Sequence, residues 1–185
     1  MKLFCITGMP GAGKSIVANV AKSMGFKVIV MGDVIREEAR RRGIKESPEA
    51  LGELMLNLRK EEGPDAIAKR CIQNLSNNDI AIIEGIRSLE ELNFFKKIAD
   101  VFLIAVHASP STRFKRLIKR GRADDPKNFE EFIERDMREI KIGIGAVIAL
   151  ADVMFVNEGT IEELIDKSKE FFKRELFESK SYCKS

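Results

Sequence analysis

Five short apolar runs punctuate the chain, and each is followed by a stretch with helical spacing. LFCIT (3–7), KVIVM (27–31), IAIIE (80–84), DVFLIAV (100–106) and DVMFV (152–156) read as strands. They are apolar on both alternating faces, the pattern of strands covered on two sides. Residues 14–24 read as a helix after the first run. Residues 160–177 place Ile161, Leu164, Ile165 and Phe172 at helical spacing, which predicts packing on the sheet. Strand–helix alternation with right-handed crossovers predicts an α/β fold with a five-stranded parallel sheet between helical layers.

Two stretches break the alternation. Residues 33–77 are longer than a crossover needs. They read as three helices, with breaks near Gly43–Pro48 and Gly63–Pro64. Residues 119–128, KRGRADDPKN, form a polar loop between two helices. The expected organisation is one domain over 1–185, with a core of 1–32, 78–118 and 149–178. The helical insertion spans about 33–77, and a short lid spans about 119–128. Both interruptions are expected at the carboxyl ends of strands, where open α/β sheets bind ligands. The last residues, ESKSYCKS, are expected to fray.

Charge and composition narrow the chemistry. Charged residues make up 33% of the chain and Gln73 is its one glutamine, a bias associated with proteins that work hot. The net charge of +3 suits a small anionic ligand but is too small to indicate nucleic acid. No apolar run is long enough to span a membrane and the N-terminus shows no cleavable signal, so a cytoplasmic location is expected. Cys5, Cys71 and Cys183 have neither metal-site nor redox-pair spacing, and a single histidine, His107, makes no zinc cluster. Nothing in the pattern sets an oligomeric state.

The strongest motif is GMPGAGKS (8–15), which fits G-x-x-x-x-G-K-[ST] between a strand and a helix. Gly8, Met9, Pro10, Gly11, Ala12 and Gly13 would curl so that amide groups point at phosphate oxygens. Lys14 would reach the terminal phosphates, and Ser15 would bind Mg²⁺. The helix that begins near Lys14 adds its positive end. Glu84 closes the third strand and is placed to hold the Mg²⁺ water shell. These features imply ATP and Mg²⁺ as donor and cofactor. The absence of N-K-x-D and D-x-x-G disfavours a GTPase.

The remaining motifs are those of an acceptor side. Met31-Gly32-Asp33-Val34-Ile35-Arg36 resembles the T-G-D-x-[LV]-R element of nucleoside-monophosphate kinases of the adenylate kinase type. Glu84-Gly85-Ile86-Arg87 resembles their D-G-[FY]-P-R element, and SPSTRFKRLIKRGRADD resembles their lid. The resemblance implies a P-loop kinase fold. Arg36 and Arg87 would grip the acceptor phosphate beside Gly85, with Asp33 orienting the site. Arg120 and Arg122 would close over the donor, and Arg135 and Arg138 would reach the transferred group. Arg113, Lys115 and Lys119 read as a basic surface face. The chain departs from the family at Met31, where a threonine touches the base. It also lacks the glutamine that reads adenine, near which Glu90 and Glu91 stand.

The closing ALADVMFVNEGTIEELIDK resembles dephospho-coenzyme A kinases, in which the asparagine, here Asn157, flanks the ATP base. Residues 57–70 resemble a stretch of a little-characterised archaeal group of adenylate-kinase-like proteins, with Arg59 and Asp65 as candidates. The expected activity is transfer of the ATP γ-phosphoryl to a nucleotide-type acceptor, a nucleoside monophosphate or dephospho-coenzyme A. A sugar or other metabolite acceptor, and a nucleotide-dependent switch with a macromolecular partner, remain as alternatives.

Overall fold

The computed structural model describes residues 1–73, 75–77, 79–122 and 125–182, with side chains excepted at 48, 49 and 176–182. The elements run β1 (Lys2–Thr7), α1 (Lys14–Ser23), β2 (Lys27–Val30), α2 (Met31–Arg41), α3 (Pro48–Glu62) and α4 (Ala66–Cys71). They continue with β3 (Ile80–Ile86), α5 (Leu89–Ile98), β4 (Asp100–His107), α6 (Pro110–Arg120) and α7 (Phe129–Ile142). The last are α8 (Ile144–Ala149), β5 (Val153–Val156) and α9 (Ile161–Tyr182).

All five strands pair in parallel, in the order β2-β3-β1-β4-β5. The central strand shows why the runs are continuously apolar. Leu3 and Cys5 enter the core layer that also holds Ile35, Leu58, Ile83 and Phe95. Phe4 and Ile6 point the other way, into a layer with Val17, Ile82, Ile104 and Phe172. Successive side chains on a strand alternate faces, and here both faces are covered. Phe4 meets Phe172 edge to face with ring centroids 5.7 Å apart, which ties α9 to the sheet. Burial pushes the thiols of Cys5 and Cys71 up, so both behave as inert core groups.

The insertion forms three helices, as the pattern predicts. Ser47 caps α3 by accepting from the Ala50 amide, with Pro48 in the first turn, and Gly63 ends that helix. Five details differ from the sequence reading. Met31 opens α2 instead of closing β2. β3 runs past Glu84 to Ile86, and the short helix α8 follows α7 directly, with Gly143 capping both. Ile161 is exposed, although Leu164 and Phe172 on the same helix are buried. Arg113 is 3% exposed and does not belong to a surface face. Helix α9 continues through 178–182; Cys183 and the rest of the expected frayed end, 183–185, lie outside the described residues, as do Ala123 and Asp124 of the lid. No helix among the described residues is long and apolar enough to cross a membrane.

Candidate active site

The glycine loop follows β1 at the carboxyl edge of the sheet, and it is held from outside through its carbonyl groups. Arg113 Nη1 donates to Pro10 O at 3.3 Å, and Asn157 Nδ2 donates to Ala12 O at 2.8 Å. The Ala12 amide closes a turn onto Met9 O at 3.1 Å. Gly8 is buried at the strand end, and Gly11 lies against α6. A Cβ on Gly13 would sit 2.4 Å from Asn157 Nδ2, so only glycine allows this approach. Helix α1 begins with no side-chain cap and no acid in its first turn, which leaves its positive end for an anion. Lys14 Nζ donates to Gly8 O at 2.7 Å and Met9 O at 3.2 Å. Burial lowers the Lys14 pKa to about 8, opposed by the Glu84 and Glu139 carboxylates and reinforced by Arg87 and Arg135. Ser15 is exposed one residue on.

Glu84 ends the regular part of β3 and is 8% exposed. Burial pushes its carboxyl pKa up and the Asp33 charge adds to this, while Lys14, Arg122 and Arg87 work against it. The strand then bulges. Ile6 pairs with Glu84 but Thr7 pairs with Ile86, so Gly85 is the extra residue, at φ 105°. The Thr7 hydroxyl donates to Ile86 O at 2.8 Å and pins the far side of the bulge. This re-aims the strand end and delivers Arg87 to the cleft that Gly8, Pro10 and Lys14 also line. Arg87 Nη1 donates to Glu139 Oε1 at 2.7 Å. Its backbone amide donates to Glu91 Oε2 at 3.0 Å, and Glu91 Oε1 accepts from Arg59 Nη2 at 2.7 Å.

Asp33 and Arg36 sit one turn apart at the start of α2. Arg36 donates to Asp33 Oδ1 through Nε, at 3.1 Å, and through Nη2. Asp33 is close enough to bear on the Glu84 carboxyl, which joins this pair electrostatically to the end of β3. Arg59 reaches the site through Glu91, whereas Asp65 pairs with Lys69 Nζ at 2.8 Å and does not converge on the cleft.

The described residues of the 119–128 stretch are organised around Asp125. Burial works against its carboxylate, but the Arg120 guanidinium, the Arg122 amide and the Arg135 charge together hold its pKa below the usual range. Arg120 Nε donates to Asp125 Oδ2 at 2.8 Å and Arg135 Nη1 donates to Oδ1 at 3.3 Å. The Arg122 side chain is exposed, and its charge is felt by Glu84. Arg138 is exposed on α7. Asn157, 3% exposed, braces the loop, and its Oδ1 accepts from Arg116 Nη2 at 3.3 Å.

The sequence reading misses the inner face of α7. Phe132, Asp136 and Glu139 are buried, while Ile133, Met137 and Ile140 are 41%, 47% and 50% exposed. Apolar periodicity points to the wrong face of this helix. Arg113 donates to Asp136 at 2.8 and 2.6 Å and lies over the Phe132 ring at 5.0 Å. A signal was present: Phe132, Asp136 and Glu139 fall at i, i+4 and i+7, one stripe of a helix.

This sheet order, with the glycine loop after its central strand, defines a P-loop kinase-like α/β fold. The shikimate kinase of Bacteroides thetaiotaomicron has the same fold, with a TM-score of 0.60 at 15% identity over 94% of this chain and 98% of that one. A gluconokinase of Sinorhizobium meliloti gives 0.58 at 14% identity over 100% and 97%. The AAA domain family model matches residues 7–133. The UPF0200 protein of Methanocaldococcus jannaschii is 48% identical over 171 residues, 90% of this chain and 87% of that protein. That of Hyperthermus butylicus is 47% identical over 174 residues, 93% and 94% of the two chains. The chain belongs to the AAA domain family and to the UPF0200 proteins.

Proposed function

We propose that this protein is an ATP-dependent small-molecule kinase that transfers the γ-phosphoryl to a nucleotide-type acceptor, a nucleoside monophosphate or dephospho-coenzyme A. The observation that carries the reading is the cleft between the glycine loop and the end of β3. Lys14 and Arg87 both line it, and in this reading Lys14 serves the donor and Arg87 the acceptor. An anionic acceptor would require a cation on its own side of the transferred group, and Arg87 would supply it.

In this reading the loop amides and the α1 N-terminus bind the β- and γ-phosphates, and Lys14 leaves its two carbonyl contacts to bind them as well. The Ser15 hydroxyl and the Glu84 carboxylate are hard oxygen donors of the kind Mg²⁺ takes, directly or through water. Bound Mg²⁺ would neutralise charge shared by the β- and γ-phosphates. Arg122 and Arg135 would add positive charge as the lid closes, and Arg120 and Asn157 would flank the nucleotide. Gly85 and Arg87 would face the acceptor together with Asp33 and Arg36. Catalysis of this kind is chiefly positioning and charge.

The test is incubation with ATP, Mg²⁺ and a panel of monophosphates and dephospho-coenzyme A, with products resolved by mass. Phosphate release without any new product would sink the kinase reading. One observation favours the switch alternative: Phe129, Ile133, Met137 and Ile140 expose an apolar stripe on α7, beside the lid. If that reading holds, charging the stripe with Met137→Glu abolishes partner capture but leaves the slow ATPase untouched.

A further inference from the structure

Glu139 is 6% exposed and lines the same cleft as Lys14, Gly85 and Arg87. Its Oε1 is satisfied by Arg87, but its Oε2 is buried with no hydrogen-bond partner among the described residues. A buried carboxylate oxygen requires a donor. The Lys14 ammonium, which lines the same cleft, is directed at Gly8 O and Met9 O and in the kinase reading turns to phosphate. The donor that completes Glu139 therefore arrives with the acceptor.

The chemistry of that donor can be narrowed. An acceptor phosphate presents lone pairs, which a carboxylate repels. Both arginines that would hold it are already matched with acids, Arg36 with Asp33 and Arg87 with Glu139. Asp33 is an exposed carboxylate that water can satisfy; Glu139 is not. A hydroxyl fits instead, because it donates one hydrogen bond while keeping lone pairs for attack on phosphorus.

We propose that the group phosphorylated is an alcohol hydroxyl rather than a phosphate, and that Glu139 Oε2 accepts its proton. This rests on the kinase reading and narrows it to the hydroxyl-bearing half, to which dephospho-coenzyme A belongs. The acceptor oxygen forms a bond to the γ-phosphorus as the bond from that phosphorus to the β,γ-bridging oxygen breaks. The hydroxyl proton passes to Glu139 and then to solvent, and the products are ADP and a phosphomonoester. Glu139 thus acts as a general base of the kind worth about 10²–10⁴ in rate.

Two experiments decide it. The wild-type protein is incubated with Mg²⁺, ATP labelled with ¹⁸O in its γ-phosphoryl group, and a small-molecule extract of Methanococcus maripaludis, whose UPF0200 protein is 44% identical to this one. A labelled phosphomonoester supports the proposal. A labelled nucleoside diphosphate overturns it and leaves the kinase reading standing. Label in inorganic phosphate alone overturns both. With the parent alcohol of that phosphomonoester as acceptor, Glu139→Gln should lower kcat at least tenfold with the KM for ATP within twofold of wild type. Glutamine keeps an oxygen for Arg87 but cannot take a proton, so a smaller loss in kcat means that Glu139 only holds Arg87, and the proposal fails. If that variant does not fold, the label experiment alone decides.

Discussion

Replacing Arg113 with Met tests whether the glycine loop and the lid helix are held by one buried cation. Arg113 is 3% exposed and Asp136 7%, and two hydrogen bonds of 2.8 and 2.6 Å join them. Methionine fills much of the same volume and keeps contact with Phe132, so the main loss is charge. It leaves Asp136 buried and unpaired, for which about 3–5 kcal/mol is the usual cost. For a chain of this size that is roughly 6–20 °C in Tm. The double variant Arg113→Met/Asp136→Leu removes both charges and should recover most of that stability, because a buried ion pair contributes little over an apolar replacement. It cannot recover the bonds from Arg113 to Pro10 O and Ala108 O. Denaturant unfolding of wild type, both single variants and the double variant gives the coupling directly. Calorimetry with a non-hydrolysable ATP analogue reads the loop. The expected pattern is stability restored in the double variant while nucleotide affinity stays reduced. Additive stability losses, or affinity restored along with stability, would refute the shared-anchor argument.

Three further outcomes follow from the site. Lys14 has a pKa of about 8 in the free protein and must be charged on phosphate, so ATP binding at pH 8.5 should take up protons and weaken as pH rises above 8; calorimetry in two buffers of different ionisation enthalpy measures this, and zero uptake contradicts it. Glu91→Ala strands the Arg59 guanidinium and the Arg87 amide, so it should cost about 3 kcal/mol in unfolding and raise acceptor KM more than ATP KM; equal effects on both KM values would mean that Glu91 does not position Arg87. Arg122→Ala should lower kcat far more than it raises KM, with Lys rescuing only in part because an ammonium lacks the planar fork; a pure KM effect measured by steady-state kinetics would remove Arg122 from the transition state.

What could be read in the chain was whatever depends on local spacing. The five apolar runs are strands, the sheet is parallel, and Gly8–Ser15 is a phosphate loop between β1 and α1. Each follows from a residue and its near neighbours. The arginines of the site were legible as residues, but their partners were not: Glu139 lies 52 residues from Arg87, and Asp136 lies 23 from Arg113. Helix α7 shows the limit most clearly. Its apolar stripe of Ile133, Met137 and Ile140 has the spacing of a core face, yet the helix turns Asp136 and Glu139 inward and leaves that stripe in solvent. The hydrophobic pattern of a segment reports only which face would bury well against oil. Here the neighbouring surface is cationic, made by Lys14, Arg87 and Arg113 from three other elements. Turning the apolar stripe inward would take Glu139 from Arg87 and Asp136 from Arg113, and a buried charge stripped of its partner is strongly destabilising. Only the tertiary fold brings those cations together, so it alone decides which side of α7 faces the site.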